Sequence, residues 1–317
     1  MSNPYAHDDE MLMDAIRDAY HRVGARVRTT PVMPLEHSAF GVTCQQLSLK
    51  LEHLQVSGTF KARGAFNNLL SRDVPPAGVI AASGGNHGAA VAYAAAALGV
   101  GAEIFVPTVA SAAKVERLRD YGATVNVVGD EFQDTLQASL ARQAQTGAMT
   151  IHAYDQIETV AGQGGVGLEW EAQDPDLDTM VVAVGGGGLI AGISGWLQGR
   201  VKVVAVETTG TSTLHSARAN EGPIDVNISG VGADALGARR LGDIAYAVTS
   251  AHVATSVLVD DDAVMAARKA LWHEVRLAVE PAGAAALAAV MCGAYQPQPN
   301  ERVGLLLCGA NTQLDNL

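Results

Sequence analysis

Aromatic residues make up only 5% of this 317-residue chain, and its three cysteines, Cys44, Cys292 and Cys308, lie far apart. An odd number of distant cysteines gives neither a disulfide framework nor the paired spacing of a zinc site. Basic residues are in deficit: 21 Lys and Arg face 33 Asp and Glu, for a formal charge of −12. That balance argues against a nucleic-acid partner, which needs clustered cations. It leaves small anionic ligands open, since backbone N–H groups alone can hold one phosphate. No apolar run reaches the roughly twenty residues that span a bilayer, and no basic-then-apolar leader opens the chain. No membrane partner and a cytoplasmic location are therefore expected. Repeats, low-complexity tracts and charged tails are missing too. With no Gly-x-Ser-x-Gly elbow, Ser/His/Asp catalysis has no support. His53, His87, His152, His215 and His273 show no metal-binding spacing.

What the chain does have is a 48% hydrophobic content rich in Ala, Gly and Val. Small residues of this kind suit helices packed closely on a buried parallel sheet, and the length allows two domains or one large α/β unit. An amphipathic helix is expected over 10–22. From residue 78 a βα rhythm sets in. Strands Val79–Ala82, Ala102–Val106 and Thr124–Val128 alternate with helices over 86–98, 111–121 and 131–146, the signature of parallel strands with helical crossovers. A second series is read as strand Met180–Val184, helix 187–198, strand Val201–Glu207, helix 211–220, strand Ala245–Thr249 and helix 261–275. Helix 281–292 and strand Val303–Leu307 complete it.

Five motifs carry chemistry. The run Ser57-Gly58-Thr59-Phe60-Lys61-Ala62-Arg63-Gly64-Ala65 places an ammonium one turn into an expected helix, behind small and hydroxyl-bearing residues. Read alone, a lysine after a hydrophobic strand is ordinarily a surface residue. Ser83-Gly84-Gly85-Asn86-His87 leads from a strand to a helix N-terminus, where unpaired N–H groups and the helix dipole favour an anion; the plainer reading is a βα turn with Asn near the cap. Gly185-Gly186-Gly187-Gly188-Leu189 follows a Val-rich strand, and glycines at positive φ can turn several N–H groups onto one phosphate. A dinucleotide site needs spaced glycines and an acidic residue ending the next strand. Glu207 does end it, so the run by itself leaves that reading open. Glu280-Pro281-Ala282-Gly283-Ala284 places a glutamate before a proline suited to the first helical position. Cys308-Gly309-Ala310-Asn311 follows the last strand, and a buried cysteine there can be simply a small apolar residue.

Together, and with Leu49-Lys50-Leu51-Glu52-His53-Leu54-Gln55 preceding the lysine run, these motifs resemble the fold-type II pyridoxal-phosphate enzymes. They are most like the serine/threonine dehydratase (threonine ammonia-lyase) branch, over roughly residues 27 to 311. The resemblance implies a tryptophan synthase β-like fold: two parallel-sheet α/β domains with the active site between them. The large domain would take 1–73 and 148–317 and a small inserted domain 74–147. It implies pyridoxal 5'-phosphate bound through Lys61, Phe60, Asn86, the run Gly185 to Leu189, and Cys308. Lys61 forms the Schiff base and then serves as base, its pKa lowered by desolvation and the neighbouring Arg63. Ser83, Gly84, Gly85, Asn86 and His87, with Glu280, would hold the substrate, and Lys61, Ser83 and Asn86 are the catalytic candidates. Cys308 would face the pyridine nitrogen, where a thiol does not favour a pyridinium; that disfavours transamination and is adequate for β-elimination.

The resemblance also implies a cation site at Glu207, Thr211 and Thr213, completed by carbonyls near Ser229 and Val231. Threonine in place of a last carboxylate suits a monovalent ion such as potassium; the alternative is a glutamate capping a turn. Serine racemases of this family carry a serine at the position of Gly84, so a glycine there points away from racemisation. The expected activity is dehydration and deamination of L-threonine or L-serine to a 2-oxo acid and ammonia. The alternatives are 3-hydroxyaspartate or phenylserine as substrate, or a serine-racemase-like reaction. A homodimer is expected, with the first helix and the 234–243 region as candidate contacts. The chain ends soon after its last strand, so the short form without a regulatory domain, and no allosteric feedback, are expected.

Overall fold

The computed structural model describes residues 8–36 and 38–312. The outer ends of the expected large-domain segments, 1–7 and 313–317, lie outside them. Along the chain run α1 (Asp9–Val23), β1 (Val32–Pro34), β2 (Gln46–Lys50), α2 (Lys61–Ser71), β3 (Val79–Ala82), α3 (Asn86–Ala97), β4 (Ala102–Val106), α4 (Ala112–Asp120), β5 (Thr124–Val127), α5 (Phe132–Thr146) and β6 (Met149–Thr150). Then come α6 (Ile157–Gln173), β7 (Thr179–Ala183), α7 (Gly188–Leu197), β8 (Lys202–Thr208), α8 (Thr213–Ala219), α9 (Ala233–Leu236), α10 (Asp243–His252), β9 (Thr255–Val259), α11 (Asp261–Val275), α12 (Pro281–Met291) and β10 (Arg302–Leu306).

Two sheets result. One has the order β1-β2-β10-β7-β8-β9, parallel except where β1 pairs antiparallel with β2. The other has the order β5-β4-β3-β6 and is wholly parallel. The second sheet is drawn entirely from residues 79–150, inserted between β2 and β7 of the first. Its last strand, β6, falls just beyond the border expected at 147. Every residue of β7 is buried, as helices on both faces of a parallel sheet require.

The helix α6 was not anticipated, because Gly162, Gly164, Gly165 and Gly167 give it poor intrinsic propensity. Close packing overrides propensity here. A Cβ on Gly162 would lie 2.7 Å from the Gly64 Cα of α2, and one on Gly164 would lie 2.6 Å from Ile16 of α1 and 3.0 Å from the Gly192 carbonyl of α7. Glycine lets α6 meet α2 and α7 backbone to backbone and take the Ile16 side chain of α1.

The strand expected over Ala245–Thr249 is a correction: those residues lie in α10, and the strand comes later, as β9. Short apolar runs do not separate helix from strand by periodicity. Burial of Ile244, Ala245, Val248 and Thr249 follows one helical face. β9 sits at a sheet edge and is mostly half-buried, which weakened its apolar signal.

A charged core pins β2, α2 and α6 together. Lys50 Nζ meets Glu169 Oε1 at 2.6 Å, and Arg63 Nη2 meets Glu52 Oε1 at 2.6 Å and Glu169 Oε2 at 3.0 Å. All four side chains are buried. Two cations and two anions balance, the condition on which buried charge is tolerated.

Candidate active site

Lys61 is the first residue of α2 rather than one turn into it, with Phe60 at the N-cap. It follows a tight turn in which Ser57 (φ +60°) and Gly58 (φ +78°) are both left-handed. Phe60 N donates to Cys308 O at 3.3 Å, and Thr59 pairs with Gly309, so the segment after β10 fixes the entry to α2. Lys61 Nζ donates to Ala153 O at 2.6 Å and lies 5.2 Å from the Phe60 ring centre. Burial lowers its pKa to about 8, against the opposing influence of Cys308 and Glu280.

Ser83 to His87 links β3 to α3. Gly85 is the N-cap and no side chain caps the helix. Gly85 N donates to Ser83 Oγ at 3.3 Å, while the amides of Gly84, Asn86, His87 and Gly88 have no partner among the described residues. Asn86 Nδ2 donates to Glu280 Oε1 at 2.7 Å, and Asn86 Oδ1 accepts from Asn311 Nδ2. His87 is buried, with Nε2 2.9 Å from Ile151 O. Burial and Lys61 push its pKa down to about 3. It is therefore neutral, with its proton on Nε2, and anchors the loop rather than offering a cation.

Gly185 to Leu189 joins β7 to α7. Gly187 has φ +91°, and the amides of Gly186, Gly187, Gly188 and Leu189 are unpaired among the described residues. The back of the loop is closed. A Cβ on Gly186 would overlap the Tyr154 ring, and one on Gly187 would lie 2.6 Å from both Leu241 and Ala245. The open side faces a cleft lined also by Lys61, Asn86, Tyr154, Glu280 and Cys308. This cleft brings together residues from seven separate stretches of chain.

Glu280 stands at the N-cap of α12, with Pro281 at N1, yet makes no capping bond; its carboxylate goes to Asn86 instead. Burial raises its pKa to about 7. Burial also raises the Cys308 thiol well above the usual range, so it stays protonated.

Glu207 lies apart from the cleft. Its Oε1 accepts from Leu214 N at 2.8 Å and its Oε2 from His215 N at 2.7 Å, an arrangement that caps α8. Burial raises its pKa to about 7. Thr213 Oγ1 lies 3.1 Å from Glu207 Oε1 and 2.5 Å from Gly185 O, linking this cap to the glycine run. Thr211 Oγ1 bonds Thr208 Oγ1 at 2.9 Å. Ser229 N donates to Gly210 O at 3.0 Å and Val231 N to Asp261 Oδ2 at 3.1 Å. Among the described residues no three His, Cys, Asp or Glu side chains cluster to hold a metal ion.

Sequence reasoning missed the segment 151–154. Ile151 O takes His87, Ala153 O takes Lys61, and Tyr154 backs the glycine loop. Two of these contacts use backbone carbonyls, which carry no residue-type signal.

A parallel α/β fold with a lysine facing a glycine-walled anion cradle defines a cofactor-dependent enzyme class, and residues 23–309 match the family described as pyridoxal-phosphate dependent enzyme. The chain belongs to that family. It is 38% identical over 306 residues to a phenylserine dehydratase of Ralstonia pickettii, covering 95% of this chain and 93% of that one. It is 33% identical over 279 residues to an L-threonine ammonia-lyase of Thermotoga maritima, covering 86% and 69%. Among solved structures it resembles maize serine racemase, with a TM-score of 0.89 and 33% identity over 96% of this chain and 94% of that one. Among the described residues no helix is long and apolar enough to cross a membrane.

The residues fit pyridoxal phosphate. Unpaired amides at the start of α7 suit a phosphate dianion, and the closed back of the loop leaves that side no room for side chains. Lys61 supplies an amine that is partly neutral near pH 8, and Cys308 supplies a thiol that stays uncharged.

Proposed function

We propose that this chain catalyses β-elimination from a β-hydroxy amino acid of the L-threonine and L-serine class, giving a 2-oxo acid and ammonia. The observation that carries this reading is one-sidedness. Lys61 supplies a single amine of lowered pKa at the cleft wall, while the loop Ser83 to His87 carries at position 84 a glycine, which has no side-chain proton to give, and a neutral, tethered His87.

Gly186, Gly187, Gly188 and Leu189 would hold the cofactor phosphate through their N–H groups, with Phe60, Asn86 and Cys308 around the ring. When bound, pyridoxal phosphate supplies the electron sink for charge that develops at the substrate Cα. The N–H groups of Asn86 and His87, with Ser83 and Gly85, hold the substrate carboxylate at the α3 N-terminus. Neutral Lys61 takes the Cα proton, which requires the amine released from Ala153 O to reach that hydrogen. Glu280 keeps the Asn86 carboxamide oriented through this step. The β-hydroxyl departs as water, balanced by the proton taken from Cα, and the released enamine tautomerises to an imine that water hydrolyses to the 2-oxo acid and ammonia. The cleft between the inserted unit 74–147 and the remainder excludes water while the proton is held.

A larger substituent at Cβ is the second reading. The likeness to a phenylserine dehydratase supports it, while the cleft beside Gly84, Gly85 and Asn86 is lined by Lys114, Arg117 and Asp234 and gives a phenyl group no wholly apolar wall. An assay of 2-oxo acid release from L-threonine, L-serine, 3-hydroxyaspartate and phenylserine tests both readings, and no product from any of them overturns the proposal. We further propose a monovalent cation such as potassium beside Glu207, Thr211 and Thr213, supported by the Thr213 link to Gly185. Activity that rises with potassium over sodium, and loses that dependence in Glu207→Gln, tests it. The homodimer rests on family resemblance, and sizing chromatography tests it.

A further inference from the structure

A cleft beside the Ser83–His87 loop is lined by Asn86 and Asn311 and by Lys114 and Arg117 of α4. Arg117 belongs to the unit built on the second sheet, yet its Nη2 donates at 2.5 Å to the carbonyl of Ser57, in the turn that leads to Lys61. Ser57 O is a shared acceptor, because Asn311 Nδ2 also approaches it at 3.4 Å. The same Asn311 amide donates to Asn86 Oδ1, and Asn86 Nδ2 donates to Glu280. A chain of contacts therefore runs from α4 through Ser57 O and Asn311 to Asn86.

We propose that Arg117 is a positioning residue that holds the Ser57 carbonyl from across the cleft and, through Asn311, sets the orientation of the Asn86 carboxamide. The proposal deepens the β-elimination reading, which assigns Asn86 to substrate and cofactor. A left-handed non-glycine residue such as Ser57 is strained, so its turn keeps one geometry only when neighbours over-determine it. Arg117 is one of those neighbours. Its guanidinium lies 5.6 Å from the Tyr121 ring centre, which fixes the plane from which Nη2 projects. The bond is charge-assisted and sits at a cleft wall, where such bonds exceed neutral ones in strength. Nearby, Lys114 and Asp234 form a second, more exposed contact across the same cleft, which carries less by the usual weakness of exposed pairs.

The test compares Arg117→Met, Arg117→Lys and Lys114→Met with the parent, all loaded with pyridoxal phosphate. Hydrogen exchange is read by mass spectrometry on peptides covering 56–61 and 308–311, where the amides of Gly58, Phe60 and Ala310 are hydrogen-bonded. Arg117→Met is expected to speed exchange in both peptides by about tenfold or more, with Arg117→Lys recovering part of the protection and Lys114→Met leaving both near the parent. On whichever substrate is turned over, kcat is expected to fall about tenfold or more with KM changing less, and added guanidinium ion to restore part of the loss. Unchanged exchange at 56–61 in Arg117→Met, or an unchanged kcat, overturns the proposal. So does faster exchange spread over the whole of α4 and β5, which marks a general loss of packing. Because exchange is measured without turnover, the exchange outcomes stand whether or not β-elimination is the reaction.

Discussion

The Lys61 amine offers a quantitative check on the site. An ordinary lysine titrates at 10.5, and burial brings this one to about 8. At pH 7.5 an amine of pKa about 8 is about one quarter neutral, whereas an ordinary lysine is about 0.1% neutral, a ratio of about 240. Only the neutral amine attacks an aldehyde. Covalent capture of pyridoxal phosphate by cofactor-free protein, followed by visible absorbance and normalised to capture by a simple alkylamine, is therefore expected to rise with pH through about 8. Cys308 and Glu280 both oppose the effect of burial. Glu280→Gln is thus expected to move the rise to lower pH. Linkage gives a second sign. Between about 8 and 10.5 the folded protein binds fewer protons than the unfolded chain, so stability of the cofactor-free protein rises with pH across that window. A capture midpoint near 10.5, or a Glu280→Gln midpoint above the parent's, would refute the reasoning.

Gly186→Ala places a Cβ inside the Tyr154 ring and is expected to weaken pyridoxal phosphate binding at least tenfold by absorbance titration, with Tyr154→Ala in the same chain recovering part of it. Gly84→Ser should be accommodated, since a Cβ there meets only Val106 at 3.5 Å and Ala110 at 3.6 Å; detectable racemisation of L-serine by chiral chromatography is expected, and its absence in a folded, cofactor-loaded variant counts against Gly84 as the limit on two-faced chemistry. Glu169→Gln leaves Lys50 and Arg63 with Glu52 as their remaining buried carboxylate and is expected to cost about 3–5 kcal/mol in urea unfolding; a cost under about 1 kcal/mol contradicts a charge-balanced core.

The chemistry-bearing residues were legible because each lies in a compact local pattern. A glycine run, a strand-to-helix turn and a Glu-Pro step impose their geometry within a few residues, so the sequence already points to anion-binding turns and a lysine of unusual setting. The fold class was equally readable, since alternating Val-rich strands and Ala-rich helices have few other solutions. Local pattern misled where packing decides. Glycines in α6 and the apolar run in α10 read wrongly because their conformation depends on what they touch.

By itself the sequence determined the family and the order of most elements, and it pointed to Lys61, Asn86, the run Gly185 to Leu189, Glu280 and Cys308, which line one cleft. Only the tertiary structure decided their states. Lys61 has a lowered pKa because the fold removes water from its amine. Glu280 turns away from capping its own helix to hold Asn86, and Ile151 and Ala153 contribute carbonyls that any residue would possess. Protonation, orientation and backbone contacts arise from what surrounds a group in space, and residues far apart in the chain set those surroundings.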